Sequence, residues 1–398
     1  MVLNLELRRS LAELSVFETT GALETSAAYR RVQNHIEDVL GHIWQENGSS
    51  PPQPGAGPIR VVAWNIERGL RLDAIIANLR DHPSLRAADV LLLSELDWGM
   101  ARSGNRFVAR EIAQALGMNF AFAPCYLALS KGTGAEKDAE GTNEESLHGI
   151  GIFSRYPMRS VHTVPLPNGK DKMKGAEKRI GSLRALVAEI EHPMGAIRAV
   201  SLHLDALSSQ KHRHRQMRIV LDHLSSLSEL PTIIGGDWNT STHDASRATY
   251  AILGYCRRVV MGIRHVIQNH YAHPDRWFER RLFRELEKHG FNYRDLNNPG
   301  ECTLHYNLSD ILTNLNMGEW LPQWCFWFIN WALRQVGGKC SLKLDWFAGK
   351  GIVRTGEMAA VAGLRDSTGV RPISDHDPIV LSFRPANRAG LPENALSN

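Results

Sequence analysis

The feature that most constrains this chain is a set of short apolar runs that each end in, or are followed at once by, a polar side chain. In chain order, AWNIERG carries Asn65, LLSELDWG carries Glu95, SLHLDA carries His203, and GGDWNT carries Asp237 and Asn239. In PISDHDPIVL the order reverses, and Asp375 and His376 come just before the run. Short apolar runs bounded by turn formers read as buried strands. Strand ends are where α/β folds gather their chemistry. The side chains collected there are carboxylates, amides and imidazoles. That inventory suits a hard divalent cation together with acid–base work on a phosphate ester.

Between these strings, strand and helix patterns alternate. IRVVAWNI, DVLLLSEL, NFAFAPCYLAL, LHGIGIFSRYPM, RALVAEIE, AIRAVSLHL, PTIIGGDWN, CSLKLDWFAG and DPIVLSF read as strands. The segment from Asp73 to Arg80, the string RFVAREIAQALG, and Gln210 to Leu227 read as helices. The last of these carries a stripe of Met217, Val220, Leu221, Leu224 and Leu227. Many strands, some adjacent and some separated by helices, predict two packed sheets with helices outside. Residues 1–47 read as a helical appendage and 48–58 as a linker, centred on the breaker-rich SSPPQPGAG. The main domain is expected over 59–386, interrupted by an insertion at about 246–338, with a flexible tail at 387–398. The polar, Gly-rich segment from Ser130 to Ser146 is expected to be a mobile surface loop.

Totals exclude several classes. Five cysteines, an odd number with no CxxC pair, argue against a disulfide framework or a zinc knuckle. No secretory h-region is evident at the start, and no run reaches the roughly 18 apolar residues of a spanning helix. The expectation is a cytoplasmic protein. Net charge is +4, yet Arg257 to Arg294 alone carries nine Lys/Arg against four acids. The surplus charge therefore lives in the insertion.

The residue types suggest roles. Glu95 closes a strongly apolar strand, where an unpaired carboxylate is costly and a bound cation would compensate it. Asn65 can offer its amide to a metal or to a phosphate. Gly235 and Gly236 let backbone pass close to another group, and Asp237 and Asn239, two apart, can meet one reacting centre. Asp237 suits deprotonating a water and Asn239 suits holding it or a phosphate oxygen. His376 is tunable near neutral pH, and Asp345 in KLDWFAG is placed to orient it. His203 suits protonating a leaving oxygen, and Arg184 could hold a phosphate with its fork.

Taken together, WNIERG, LLLSELD, GIGIFSRYPM, SLHL, GGDWNT, KLDWF and SDHDPIVLSF resemble the ordered motifs of the endonuclease/exonuclease/phosphatase superfamily, in its deoxyribonuclease-like and neutral sphingomyelinase-like branch. The resemblance covers about Arg60 to Phe383 apart from the insertion. It implies a four-layer α/β sandwich, two packed mixed β-sheets flanked by helices, and Mg2+-dependent phosphoester hydrolysis, with Mn2+ as an alternative ion. By position it implies metal ligation by Asn65 and Glu95, joined by Asp375, and a nucleophile site at Asp237 and Asn239. It further implies a His376–Asp345 pair and an acid role for His203. Two features depart from the family: Trp238 follows Asp237, where smaller residues or Phe are usual, and the insertion before Asp345 is long.

For substrate, a basic insertion with aromatics favours DNA or RNA. The Trp-rich stretch at 320–333 suits peripheral contact with a membrane, which keeps a sphingomyelinase-like lipid phosphodiesterase or a phosphoinositide phosphatase open. A non-catalytic scaffold on the same fold is the third reading.

Overall fold

The computed structural model describes residues 2–48, 57–206, 208–242, 244, 248–307, 331, 334, 336–356 and 358–386. Its strands, in chain order, are β1 (Trp44–Glu46), β2 (Ile59–Asn65), β3 (Val90–Trp98), β4 (Asn119–Ala128), β5 (Leu147–Ser154), β6 (Met158–Pro165), β7 (Arg179–Gly181) and β8 (Arg184–Ile190). They continue with β9 (Ile197–Ser201), β10 (Thr232–Asp237), β11 (Leu304–Asn307), β12 (Lys339–Leu342), β13 (Asp345–Lys350), β14 (Ile352–Arg354), β15 (Ala359–Ala360) and β16 (Ile379–Pro385). One large sheet runs β1-β4-β5-β3-β2-β16-β14, with β7 on β4 and β15 on β16; the second runs β13-β10-β9-β8-β6; β11 and β12 form a separate antiparallel pair. Both large sheets are mixed: β2–β3 and β9–β10 are parallel, and their remaining pairs are antiparallel.

Two apolar layers explain why β2 reads as an almost unbroken apolar run. Ile59, Val61 and Ala63 face the second sheet and share its core with Ile233 and the β9 residue paired with it, Ala199. Val62 and Trp64 face outward under helices α1 (Leu72–Asp81) and α2 (Val108–Leu116). A strand buried on both faces loses the polar half of its alternation. On the far side, α3 (Gln210–Ser225) lays Met217, Val220, Leu221 and Leu224 on the second sheet, started by its N-cap Ser209. The Arg280–Lys288 helix joins it, burying Leu282, Phe283 and Leu286 in the same core. The layers are helix, sheet, sheet, helix, as a four-layer sandwich requires.

Two strings read as single strands are broken. LHGIGIFSRYPM leaves the first sheet after Ser154 and re-enters the second at Met158. CSLKLDWFAG ends one strand at Leu342 and starts another at Asp345. Periodicity cannot see such crossings, because both halves remain apolar.

Residues 2–46 are sewn onto the body. Leu7, Leu14, Val32, Ile36 and Leu40 pack with Leu127, Leu129, Leu147 and Ile180, and β1 extends the first sheet beside β4. The 130–146 segment is also tied down. Thr133 and Glu136 form a capping box, and Glu145, 6% exposed, accepts hydrogen bonds from the backbone N–H groups of Val2 and Leu3. The aromatic stretch at 320–333, apart from Trp331, and the 387–398 tail lie outside the described residues.

Candidate active site

The C-terminal ends of β2, β3 and β10, the segment after β9, the start of β13 and the turn before β16 converge. Asp237 and Asp345 are paired residues across the antiparallel β10–β13 ladder. The parallel pairing of β9 with β10 continues past its last strand residue, as Leu204 N donates to Asp237 O at 3.0 Å, which brings His203 alongside. Gly236, at φ 140°, makes this possible, since a Cβ there would stand 2.1 Å from Leu202 O. This is the close backbone approach expected of the two glycines.

Asp237, 1% exposed, is the hub. Its Oδ1 accepts the Asn239 backbone N–H at 2.8 Å, and its Oδ2 accepts Asn65 Nδ2 at 3.1 Å and Asn239 Nδ2 at 3.2 Å. Asn239 reaches it through a left-handed turn, φ 49°, rather than along an extended strand. Nε2 of His203 lies 3.6 Å and Nε2 of His376 3.7 Å from the same Oδ2. Burial raises the Asp237 carboxyl, with Asp345 adding to this and the two histidines opposing it.

Behind His376, Nδ1 lies 2.8 Å from Asp345 Oδ2, and Trp64 Nε1 donates to the His376 carbonyl at 2.8 Å. Burial alone would lower the imidazole. The carboxylates of Asp345, Asp237 and Asp375 outweigh it and hold His376 well above its ordinary value. Ligand atoms of Asp237, Asp345 and His376 lie within 4.8 Å of one another, a spacing that could itself hold an ion. The Asp345–His376 hydrogen bond occupies one nitrogen and one oxygen of that set, however, which favours proton handling over ligation.

Glu95 faces the hub from β3. It sits at φ 56°, where the β3–β5 register shifts between Ser94 and Leu96, and this bulge turns its carboxylate into the cleft. Burial would raise the acid, but Arg68, His203 and His148 and a hydrogen bond from Asn65 keep it well below the usual carboxylate range. Asn65 turns its NH2 to Glu95 and Asp237 while its Oδ1 accepts Glu67 N–H, so it links the two acids rather than presenting an oxygen between them. Glu67 is pushed up to about 7 by burial and by the nearby charge of Asp375, against Arg71. Glu95 and Asp375, with Glu67 beside Asp375, offer the hard carboxylate oxygens a divalent cation takes, and their charges are felt by one another.

Arg184 is not brought into this cluster. It starts β8, and its Nη1 donates to the carbonyl of Leu40 under the N-terminal helices. Sequence reasoning missed three residues that the structure does bring in. Glu67 and Arg68 lie in the same WNIERG string as Asn65 but have no periodicity to mark them. Thr303, whose Oγ1 donates to Asp345 Oδ2 at 2.6 Å, sits in a stretch without any signal. Trp238 turns away from the chemistry: it is buried, stacked on Trp346 at 6.2 Å and 18° and near Phe283, and so fastens the Arg280–Lys288 helix to the second sheet.

The Endonuclease/Exonuclease/phosphatase family model matches residues 62–339 of the chain. No curated protein matches it. Solved structures of similar shape include Danio rerio TDP2 humanised by 14 mutations, at 15% identity and TM-score 0.44, covering 82% of this chain and 98% of that one. Another is the human Nocturnin catalytic domain with bound sulfate, at 15% identity and TM-score 0.44, covering 85% and 99%. A third is an AP endonuclease from Archaeoglobus fulgidus, at 13% identity and TM-score 0.45, covering 82% and 99%.

Proposed function

Because this chain belongs to the endonuclease/exonuclease/phosphatase family, we propose that it hydrolyses a phosphodiester or phosphomonoester in-line with the help of Mg2+ or Mn2+, nucleic acid being the favoured substrate. The observation that carries the reading is the single carboxylate oxygen, Asp237 Oδ2, contacted by Asn65 and Asn239 and faced by His203 and His376.

Asp237 and Asn239 hold the attacking water, and Asp237 takes its proton. His376, kept cationic by Asp345, binds a non-bridging phosphoryl oxygen. His203 gives or steadies the proton on the leaving oxygen. Glu95, with Glu67 and Asp375, would hold the cation, which when bound neutralises charge on the phosphoryl oxygens.

Support for nucleic acid comes from the insertion. Arg257, Arg276, Arg280, Arg281 and Arg284 are exposed and make no ion pair among the described residues, and half-exposed Trp277 stacks one face on His270 at 4.3 Å. A lipid phosphodiesterase is the second reading. It is favoured by Tyr250, Ile252, Leu253 and Val260, all exposed on the Ala248–Val260 helix of the same insertion.

The test is a Mg2+-supplemented screen of DNA, RNA, sphingomyelin, phosphatidylinositides and bis-p-nitrophenyl phosphate, with wild type beside Asp237→Ala. Hydrolysis that is lost in the variant supports the reading. Equal rates in the two proteins would refute it.

A further inference from the structure

We propose that Arg68 is the residue that grips the substrate's phosphate oxygens in this cleft, held ready by Glu136. The proposal rests on the phosphoester reading above and fills the role that sequence pattern suggested for Arg184.

Backbone conformation is the first observation. Glu67, Arg68 and Gly69 are three consecutive residues in the left-handed region, at φ 46°, 62° and 71°. Two of them carry side chains that disfavour it, and such runs persist where a side chain must be aimed. The turn is wedged from outside, since a Cβ on Gly69 would lie 2.7 Å from Val108 Cγ2. It delivers the Arg68 guanidinium to the cleft wall, with Nε 4.0 Å from Glu95 Oε2 and Nη1 3.0 Å from Glu136 Oε1. The side chain is 19% exposed, and its Nε is buried without a hydrogen-bond partner.

Electrostatics supply the second. A guanidinium this close to Glu95 opposes cation binding at that carboxylate. Glu136 does not need it as a partner, because buried Arg102 already pairs with Glu136 at 3.3 Å. Arg102 itself is committed to Asp97 and Glu177. Without a bound ion, Arg68 is the nearest counter-charge of Glu95; once a cation takes that carboxylate, the guanidinium is left with surplus positive charge that fits an anion brought in by the substrate, which a planar fork binds with two parallel hydrogen bonds.

The third concerns how Arg68 is kept in place. Glu136 lies on the Gly134–Asp138 turn, capped by Thr133. The same segment is anchored at its other end by Glu145, which pairs with Arg8 at 2.7 Å and accepts the Val2 and Leu3 N–H groups. The N-terminal helices thereby brace the segment that positions Arg68, and Glu136 is a positioning residue.

Three readouts test this on the full chain: steady-state hydrolysis of bis-p-nitrophenyl phosphate, binding of inorganic phosphate by calorimetry, and binding of Mg2+ by calorimetry. Arg68→Ala is expected to raise KM and the phosphate dissociation constant about ten-fold or more, as for loss of a charge-assisted pair. Its Mg2+ affinity should be equal or tighter. Arg68→Lys, which keeps charge but not the fork, and Glu136→Gln, which frees the guanidinium, should each weaken phosphate by several-fold; these carry the test if Arg68→Ala does not fold. Unchanged KM and phosphate binding in the folded variants, or weaker Mg2+ binding in Arg68→Ala, overturns the proposal. A wild type that binds phosphate through Arg68 yet hydrolyses no phosphoester would instead overturn the reading it rests on.

Discussion

His376 and Asp345 are joined across the two sheets: Nδ1 of the imidazole, just before a first-sheet strand, lies 2.8 Å from Oδ2 of a carboxylate that starts a second-sheet strand. The same oxygen accepts the Thr303 hydroxyl at 2.6 Å, so the carboxylate cannot swing away from the ring. The pair fixes which nitrogen of His376 faces Asp237. Asp345→Asn keeps the shape but can turn an NH2 toward Nδ1 and favour the wrong tautomer. We expect a loss of about 10²–10⁴-fold in kcat with KM little changed. Thr303→Val, which leaves the carboxylate in place, should cost less. Steady-state kinetics on one phosphodiester substrate checks both.

The raised proton affinity of His376 also has a thermodynamic consequence. A histidine held above its unfolded value of about 6.5 contributes stability that is fully present below that pH and lost as pH rises through the folded value. In metal-free buffer, the stability gap between wild type and His376→Asn should therefore be larger at pH 6 than at pH 9. Urea melts at the two pH values measure it, and a gap that widens toward pH 9 would reverse the sign.

Arg102 is a structural counterpart to Arg68. Its side chain is fully buried and gives two hydrogen bonds to Asp97, at 2.7 and 3.0 Å, and one to Glu177 at 3.0 Å. Burial would raise Asp97, but Arg102 and His148 hold it down to about 2. Arg102→Met would strand those acids without a counter-ion. We expect a loss of about 3–5 kcal/mol in unfolding free energy, visible in chemical denaturation. A change below about 1 kcal/mol would show that water or a rearranged Arg68 replaces it.

The parts legible in the sequence share one physical cause. Strands buried on both faces carry long apolar runs, so β2, β3, β5 and β10 announce themselves, with Asn65 and Asp237 at the ends of β2 and β10; Glu95 follows such a run too, although it sits at a bulge within β3 rather than at its end. Asp345 and His376 are marked by the apolar runs they flank. What stayed hidden depends on backbone conformation or on partners far along the chain. The left-handed turn at Glu67 and Arg68 has no hydrophobic period. Thr303 reaches Asp345 from 42 positions away. Arg184 has the right type for a phosphate fork, yet the Leu40 carbonyl at the end of an N-terminal helix takes it. The 130–146 segment looks like a free loop by composition, and only its buried ion pairs show otherwise.

The central claim is that Glu95 and Asp237, on different sheets and linked through Asn65 at 3.1 Å to each, serve one metal-assisted hydrolytic centre. The most direct measurement is Mg2+ binding by calorimetry beside Mg2+-dependent hydrolysis in wild type, Glu95→Gln and Asp237→Asn. The account predicts that Glu95→Gln weakens Mg2+ binding about ten-fold or more and shifts the Mg2+ optimum upward. Asp237→Asn should abolish turnover while still binding the ion. Wild-type Mg2+ affinity and rate in Glu95→Gln would contradict it.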